Sequence, residues 1–381
     1  MSKPVVLLFA LLLSLLAGCS SWFKSSAPLI KPAELVDFKP SAVLSKTWET
    51  NVGAGLPYAF SPDTDGEAVY AAGREGKLVK LDIASGRELW RIDAGQPLSA
   101  GVAVGDGKVL VGTAKGVLLA FNSADGTPAW NTRLSGEILT PPVIGNGAAV
   151  ARTNDGKVFL LDSASGTQRW SYSRILPALT LREQGHLLLG GNAVFAGHAG
   201  GKLTALALNN GAPLWEVNVA LPRGATELER IADVAGPLAD DDRLVCAAAF
   251  QGRIGCFDQI SGNAAWVRDF SGLRGVAMDQ RFVYAADESG SVAAFEKNRG
   301  INPWKQDKLR DRKLSSPVAV AQRYVAVGDY QGQIHLLDSE DGAFAARIAT
   351  DGSPINSVMI PLQSGLVVQT ANGGIHAYRL Q

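Results

Sequence analysis

At 381 residues the chain has room for two or three average domains, but a regular internal repeat outranks that prior. Hydrophobic residues make up 46 % and charged residues 19 %, so a sizeable core can be buried and disorder throughout the chain is excluded. Thirty-six basic residues cancel thirty-six acidic ones, which removes any global electrostatic case for nucleic acid or for an anionic membrane surface.

The N-terminus reads as an export signal. Lys3 is its positive end, residues 5–17 are apolar with Ser14 the single polar member, and the stretch closes on Cys19. The run is too short for a spanning helix and fits a secretory signal over 1–18. Leu16-Ala17-Gly18-Cys19 resembles the bacterial lipobox, in which the cysteine thiol is acylated; the bland alternative is an ordinary signal peptide with an incidental cysteine. Ser20 and Ser21 follow, and the resemblance then implies sorting to the outer membrane rather than inner-membrane retention. Residues 19–42, with three prolines and no periodicity, are expected to be the lipidated N-terminus and a flexible tether.

From Val43 on, short apolar or alternating segments are broken by Gly, Asp and Asn every few residues, an all-β signature. Trp48, Trp90, Trp130, Trp170, Trp215, Trp266 and Trp304 recur at intervals of 42, 40, 40, 45, 51 and 38 residues. Each repeat accommodates four strands; in the second they are expected at 98–104, 108–114, 116–122 and 128–134. Turn glycines before the third strand recur eight times, at Gly76, Gly116, Gly156, Gly201, Gly252, Gly290, Gly332 and Gly374. Glycine supplies the positive φ that such turns require. The eighth repeat ends after its third strand, while a spare strand carrying Trp48 stands at the start of the fold. Exchange of that strand would close a ring and leave neither end unpaired. The expected fold is therefore an eight-bladed β-propeller of four-stranded antiparallel blades over 43–381. The tryptophans read as packing between blades, a role in which Ala346 can replace the indole in the seventh repeat.

The two longest intervals locate insertions at about 174–186 and 220–232, both connecting an outer strand to the next inner strand, hence on one face and flanking the fourth blade. The first contains Ile175, Leu176, Leu179 and Leu181 among Arg174 and Arg182; the second is amphipathic, with a candidate helical turn after Thr226. Apolar residues rimmed by charge fit a partner site; equally, the leucines fit a rim onto which they fold back.

Other chemistry is absent from the pattern. His186, His198, His335 and His376 fall at no metal-ligand spacing, and there is no nucleophile elbow or phosphate loop. Asp82, Asp162, Asp258 and Asp338 sit before turns, where capping explains them. Cys246 and Cys256 flank one hairpin turn and fit either a disulfide or two buried thiols. No cofactor, no metal and no enzymatic activity are expected.

The phrase Leu81-Asp82-x-x-x-Gly86-x-x-x-Trp90 and its copies resemble the repeat of quinoprotein dehydrogenases, whose propellers have eight blades. Those enzymes use adjacent cysteines, which this chain lacks, and this argues against a quinone cofactor. Over essentially its whole length the chain is similar to the BamB family of outer-membrane protein assembly lipoproteins: lipoprotein signal, short tether, eight-bladed propeller. Leu179-Thr180-Leu181-Arg182 and the segment 226–233 resemble that family's two contact loops. The resemblance implies a non-enzymatic scaffold, lipid-anchored through Cys19 at the periplasmic face of the outer membrane. It further implies docking on the periplasmic domains of BamA, the barrel subunit, through Leu179, Leu181, Arg182, Glu227, Arg230 and Asp233, with unfolded outer-membrane proteins as further partners. Ala235 stands where the family pattern has a second Asp. A periplasmic quinoprotein-like dehydrogenase and a propeller that binds a ligand in its funnel stay open as alternative readings.

Overall fold

The computed structural model describes residues 31–182 and 185–381; the signal segment, Cys19 and most of the tether lie outside the described residues. Thirty-two strands form eight four-stranded antiparallel sheets, and no helix occurs among the described residues. Blade two shows the plan with Ala103–Gly105, Lys108–Gly112, Val117–Asn122 and Pro128–Arg133, from axis to rim. Third strands such as Lys157–Asp162 are buried over four successive residues, because a neighbouring blade covers each face of the sheet. Rim strands such as Glu88–Asp93 have only one residue in two partly covered, and their polar alternation follows from that.

The eighth blade is assembled from both ends of the chain. Leu44–Asn51 pairs with Gly374–Leu380, from Leu44 opposite Leu380 to Asn51 opposite Gly374. Ring closure by strand exchange is thus as expected from the truncated last repeat.

Some local expectations shift. The inner strand expected at 98–104 is only Ala103–Gly105. Residues 98–102 instead bond to three other segments, with the Leu98 N–H donating to Arg74 O, Ser99 to Gly112 O and Val102 to Ser61 O. Near the axis backbones converge too closely for a long ladder: a Cβ on Gly101 would lie 2.7 Å from Ser61 N. In the fifth repeat the positive φ belongs to Gln251 (48°) rather than Gly252, and in the eighth to Gly373 (83°) rather than Gly374.

The tryptophans do more than fill space. The Nε1–H of Trp48, Trp90, Trp130, Trp170, Trp215, Trp266 and Trp304 donates to the carbonyls of Ile83, Ser123, Ser163, Leu208, Gln259, Lys297 and Ser339, always in the next blade, at 2.6–3.2 Å. The ring lies against the turn glycine that follows that carbonyl. A Cβ on Gly166 would approach Trp130 Cδ2 to 2.5 Å, and one on Gly300 would approach Trp266 Cδ2 to 2.4 Å. Each indole therefore needs a turn between the third and fourth strands of the following blade. Blade eight has no such turn, since its third and fourth strands come from opposite chain ends. Ala346 stands at the one junction where an indole would have nothing to receive it.

That junction is held by residues 33–42. The Ala33 N–H donates to Arg310 O, and the Ser41 and Ala42 N–H groups both donate to Ala345 O. Arg312 and Arg347 donate to the Ala33 and Val36 carbonyls at 3.0 Å each. Phe38 stacks on Phe344 with centroids 5.4 Å apart. The chain thus joins the propeller at Ala33, ten residues before the expected start, as a strap along blade seven. Cys246 and Cys256 face each other on neighbouring strands and form a disulfide, both fully buried.

Gly95 and Gly166 have nearly the same φ (73° and 70°), but nothing lies within 4 Å of a Cβ on Gly95. Gly95→Ala is expected to cost about 1 kcal/mol, the price of a left-handed alanine. Gly166→Ala adds the collision with Trp130 and is expected to cost about 2–4 kcal/mol. Denaturant unfolding of the two variants measures the difference, and equal losses would show that the indole contact does not hold the blades.

Candidate docking surface

Both insertions emerge on the face where rim strands connect to the next inner strand. The first leaves blade three after Gln168–Ser173 and enters blade four at Leu187–Gly190; the second joins Pro213–Asn218 of blade four to Ala239–Asp240 of blade five. They are tied together as one surface. Gly185 and Gly236 form a parallel bridge, and the His186 N–H donates to Gly236 O at 2.8 Å. The Val234 N–H donates to His198 O and the Phe250 N–H to Asp233 O.

Of the two readings of the leucines, each holds for some. Leu181 is half-buried, and Leu176 lies against the blade-three turn, where a Cβ on Gly156 would meet its Cδ2 at 2.9 Å, yet stays partly exposed. Ile175, Leu179 and Leu228 are 98 %, 47 % and 66 % exposed, and Leu221 is exposed beside them. Large apolar side chains grouped in this way on neighbouring loops fit a surface that another protein covers.

The charged residues divide differently from expectation. Asp233 does not present its carboxylate outward: it is 4 % exposed, and its oxygens accept the Leu181 N–H at 2.7 Å and the Gly200 N–H at 2.9 Å. It fixes the first loop to blade four, so its role is in shaping the surface. Arg182 turns toward the axis, with its guanidinium 5.9 Å from the Tyr58 ring centre. There it lines the mouth of a central funnel of ≈ 270 Å³ with Tyr58, His186, Arg274 and Asn356. Glu227 and Arg230 face solvent as a 3.6 Å pair, an arrangement worth little stability by itself. The helical turn expected after Thr226 is a single turn, capped reciprocally: Thr226 Oγ1 accepts the Glu229 N–H, and the Glu229 carboxylate accepts from Ala225 and Thr226. Ala235 is fully buried, so that position is core in this chain.

A residue that the repeat reading passed over lies beneath. Arg152 ends the second strand of blade three and is 4 % exposed. Its Nη1 donates to Gly185 O and Gly197 O at 2.5 and 2.6 Å, and its Nη2 to His198 Nδ1 at 3.0 Å. The repeat itself carried the signal. The same register position holds Ala72, Gly112, Gly197, Ala248, Ala286 and Gly328 in six other blades and Gln369 in the eighth, so Arg152 is the one charged residue there.

Among the described residues no group of three or more His, Cys, Asp or Glu is placed to hold a metal. The recurring aspartates cap turns: Asp82, Asp162 and Asp258 each accept the N–H of the serine three residues on. The geometry is that of an eight-bladed propeller with apolar side chains exposed on two loops that are tied to each other beside blade four.

A family profile described as outer membrane protein assembly factor BamB matches residues 74–306 and 288–380. The BamB of Pseudomonas aeruginosa is 47 % identical over 367 residues, 96 % of both chains, and that of Bordetella pertussis is 39 % identical over 361 residues, 94 % of this chain and 93 % of that one. The crystal structure of BamB from Moraxella catarrhalis superposes with a TM-score of 0.81 at 26 % identity, covering 88 % of this chain and all of that one. The chain belongs to the BamB family of outer membrane protein assembly factors. The quinohemoprotein alcohol dehydrogenase of Comamonas testosteroni, at a TM-score of 0.70 and 12 % identity over 88 % of this chain and 76 % of that one, shares the propeller fold alone.

All four histidines are held below the ordinary imidazole range, in each case first by burial: His186 to about 4, His198 well below, and His335 and His376 also lowered. The folded state thus resists protons that the unfolded chain accepts. The stability this gives is fully present above about pH 6.5 and is lost as pH falls toward 4. Melting at constant ionic strength is expected to be level from pH 8 to 7 and to fall steadily from 6.5 to 5. A melting temperature that rises across that window would contradict the buried, neutral assignment.

Proposed function

We propose that the chain is a lipid-anchored scaffold at the periplasmic face of the outer membrane. It docks on the periplasmic domains of BamA, the barrel subunit of the assembly machinery, and assists insertion of outer-membrane proteins. The observation that carries the docking reading is the exposure of Ile175, Leu179 and Leu228 on loops already fixed by their own hydrogen bonds. Such a surface loses little entropy on binding, so burial of the apolar side chains goes into affinity. Leu179 and Leu228 form the centre, Arg182, Glu227 and Arg230 the rim, and Asp233 sets the loop shape from below.

Leu179→Asp combined with Leu228→Asp is expected to remove capture of the purified periplasmic domains of BamA, each change weakening binding by about 2 kcal/mol or more. Ile260→Asp is the control, since Ile260 is 90 % exposed on the opposite face, and it is expected to bind normally. Unimpaired capture by the double variant would overturn the docking reading. For the anchor, Cys19→Ala with a conventional signal peptidase site is expected to release the protein from membranes into the soluble periplasmic fraction; continued membrane retention without the barrel subunit would overturn it.

A further inference from the structure

We propose that Arg152 is the positioning residue of the docking surface, holding the first loop directly at Gly185 and, through His198, the segment that carries Asp233. The proposal rests on the docking reading above for its functional meaning, but its structural half can be tested without a partner.

Among the described residues Arg152 is a buried cation with no carboxylate salt bridge. Burial brings its guanidinium down to about 10, still protonated at neutral pH. A charge in such a place is retained only where its hydrogen bonds are needed. Four of its five N–H groups lie on the two terminal nitrogens, and these reach Gly185 in the first loop, Gly197 in blade four and His198. Both glycines also pack tightly on the second loop: a Cβ on Gly185 would lie 2.7 Å from Val234 O, and one on Gly197 would lie 2.4 Å from Val234 Cγ1. One side chain from blade three thus holds the exit of the first loop against blade four.

His198 carries the tie onward. Its ring Nδ1 accepts from Arg152 and its carbonyl accepts the Val234 N–H. Asp233, the neighbour of Val234, accepts the Leu181 amide, two residues from exposed Leu179, and the Gly200 amide. Arg152, His198 and Asp233 line one small cavity with Thr180 and Leu181, so the three lie together beneath the first loop.

Amide hydrogen exchange and affinity test this on the full propeller. In Arg152→Met, exchange at the Leu181 and Gly200 amides is expected to rise at least ten-fold while strand Gln333–Asp338 of blade seven is unchanged. The affinity for the purified periplasmic domains of BamA is expected to fall by a similar factor, since only the ordered fraction of loops is competent. Arg152→Lys keeps the charge but not the fork of donors, and serves if the Met variant does not fold; it is expected to show the same local loss, smaller in size. Unchanged Leu181 exchange in a folded variant would overturn the proposal. If the unmodified protein does not bind the domains, the docking reading fails, and the exchange result still decides the role of Arg152.

Discussion

An indole of one blade resting on the turn glycine of the next, with its N–H given to the carbonyl just before that turn, is the contact from which the ring is made. It joins the rims of adjacent sheets, where twist would otherwise splay them apart, and it combines large apolar burial with a satisfied polar tip. Because each contact runs from one blade to its successor, the set has a direction and comes to an end. It ends at Ala346, where the receiving turn does not exist, and the strap of residues 33–42 takes its place with Phe38, Arg347 and Arg312.

A ring held in this way gives a rigid base for irregular segments. The two long connections beside blade four have no regular ladder of their own, yet they are tied to neighbouring blades and to each other at Arg174, Leu181, Gly185, His186 and Val234. Their fixing is polar and mostly buried, through Arg152 and Asp233, while their outward side chains are apolar. This inverts the usual order of a surface loop. The inversion makes physical sense where the loop is to be covered by another protein, because the polar groups that hold its shape are then already paired.

The architecture was legible in the sequence because it is repeated: eight turn signals and a divided last repeat leave few ways to build the sheets. The insertions were legible as long intervals between tryptophans. What single positions do was less so. Leu179 and Leu181 look alike in the sequence, but the backbone turns one to solvent and half-buries the other against blade four. Asp233 reads as a surface charge and proves to be an acceptor for two loop amides, which depends on contacts 52 and 33 residues away. The strap was read as tether because residues 33–42 have no period; their order comes from tertiary contacts with blade seven. Arg152 was visible as the one charged residue at a repeat position otherwise held by alanine, glycine and, in the eighth blade, Gln369, a departure that becomes informative only once the register is known.

The claim that the blade-four loops form the working face is tested most directly in cells. A photo-reactive residue placed at position 179 or 228, and separately at 260, would report what each point touches in the native membrane. The account expects adducts with the barrel subunit from 179 and 228 and none from 260. Adducts from 260, with 179 and 228 silent, would place the working face on the other side of the ring.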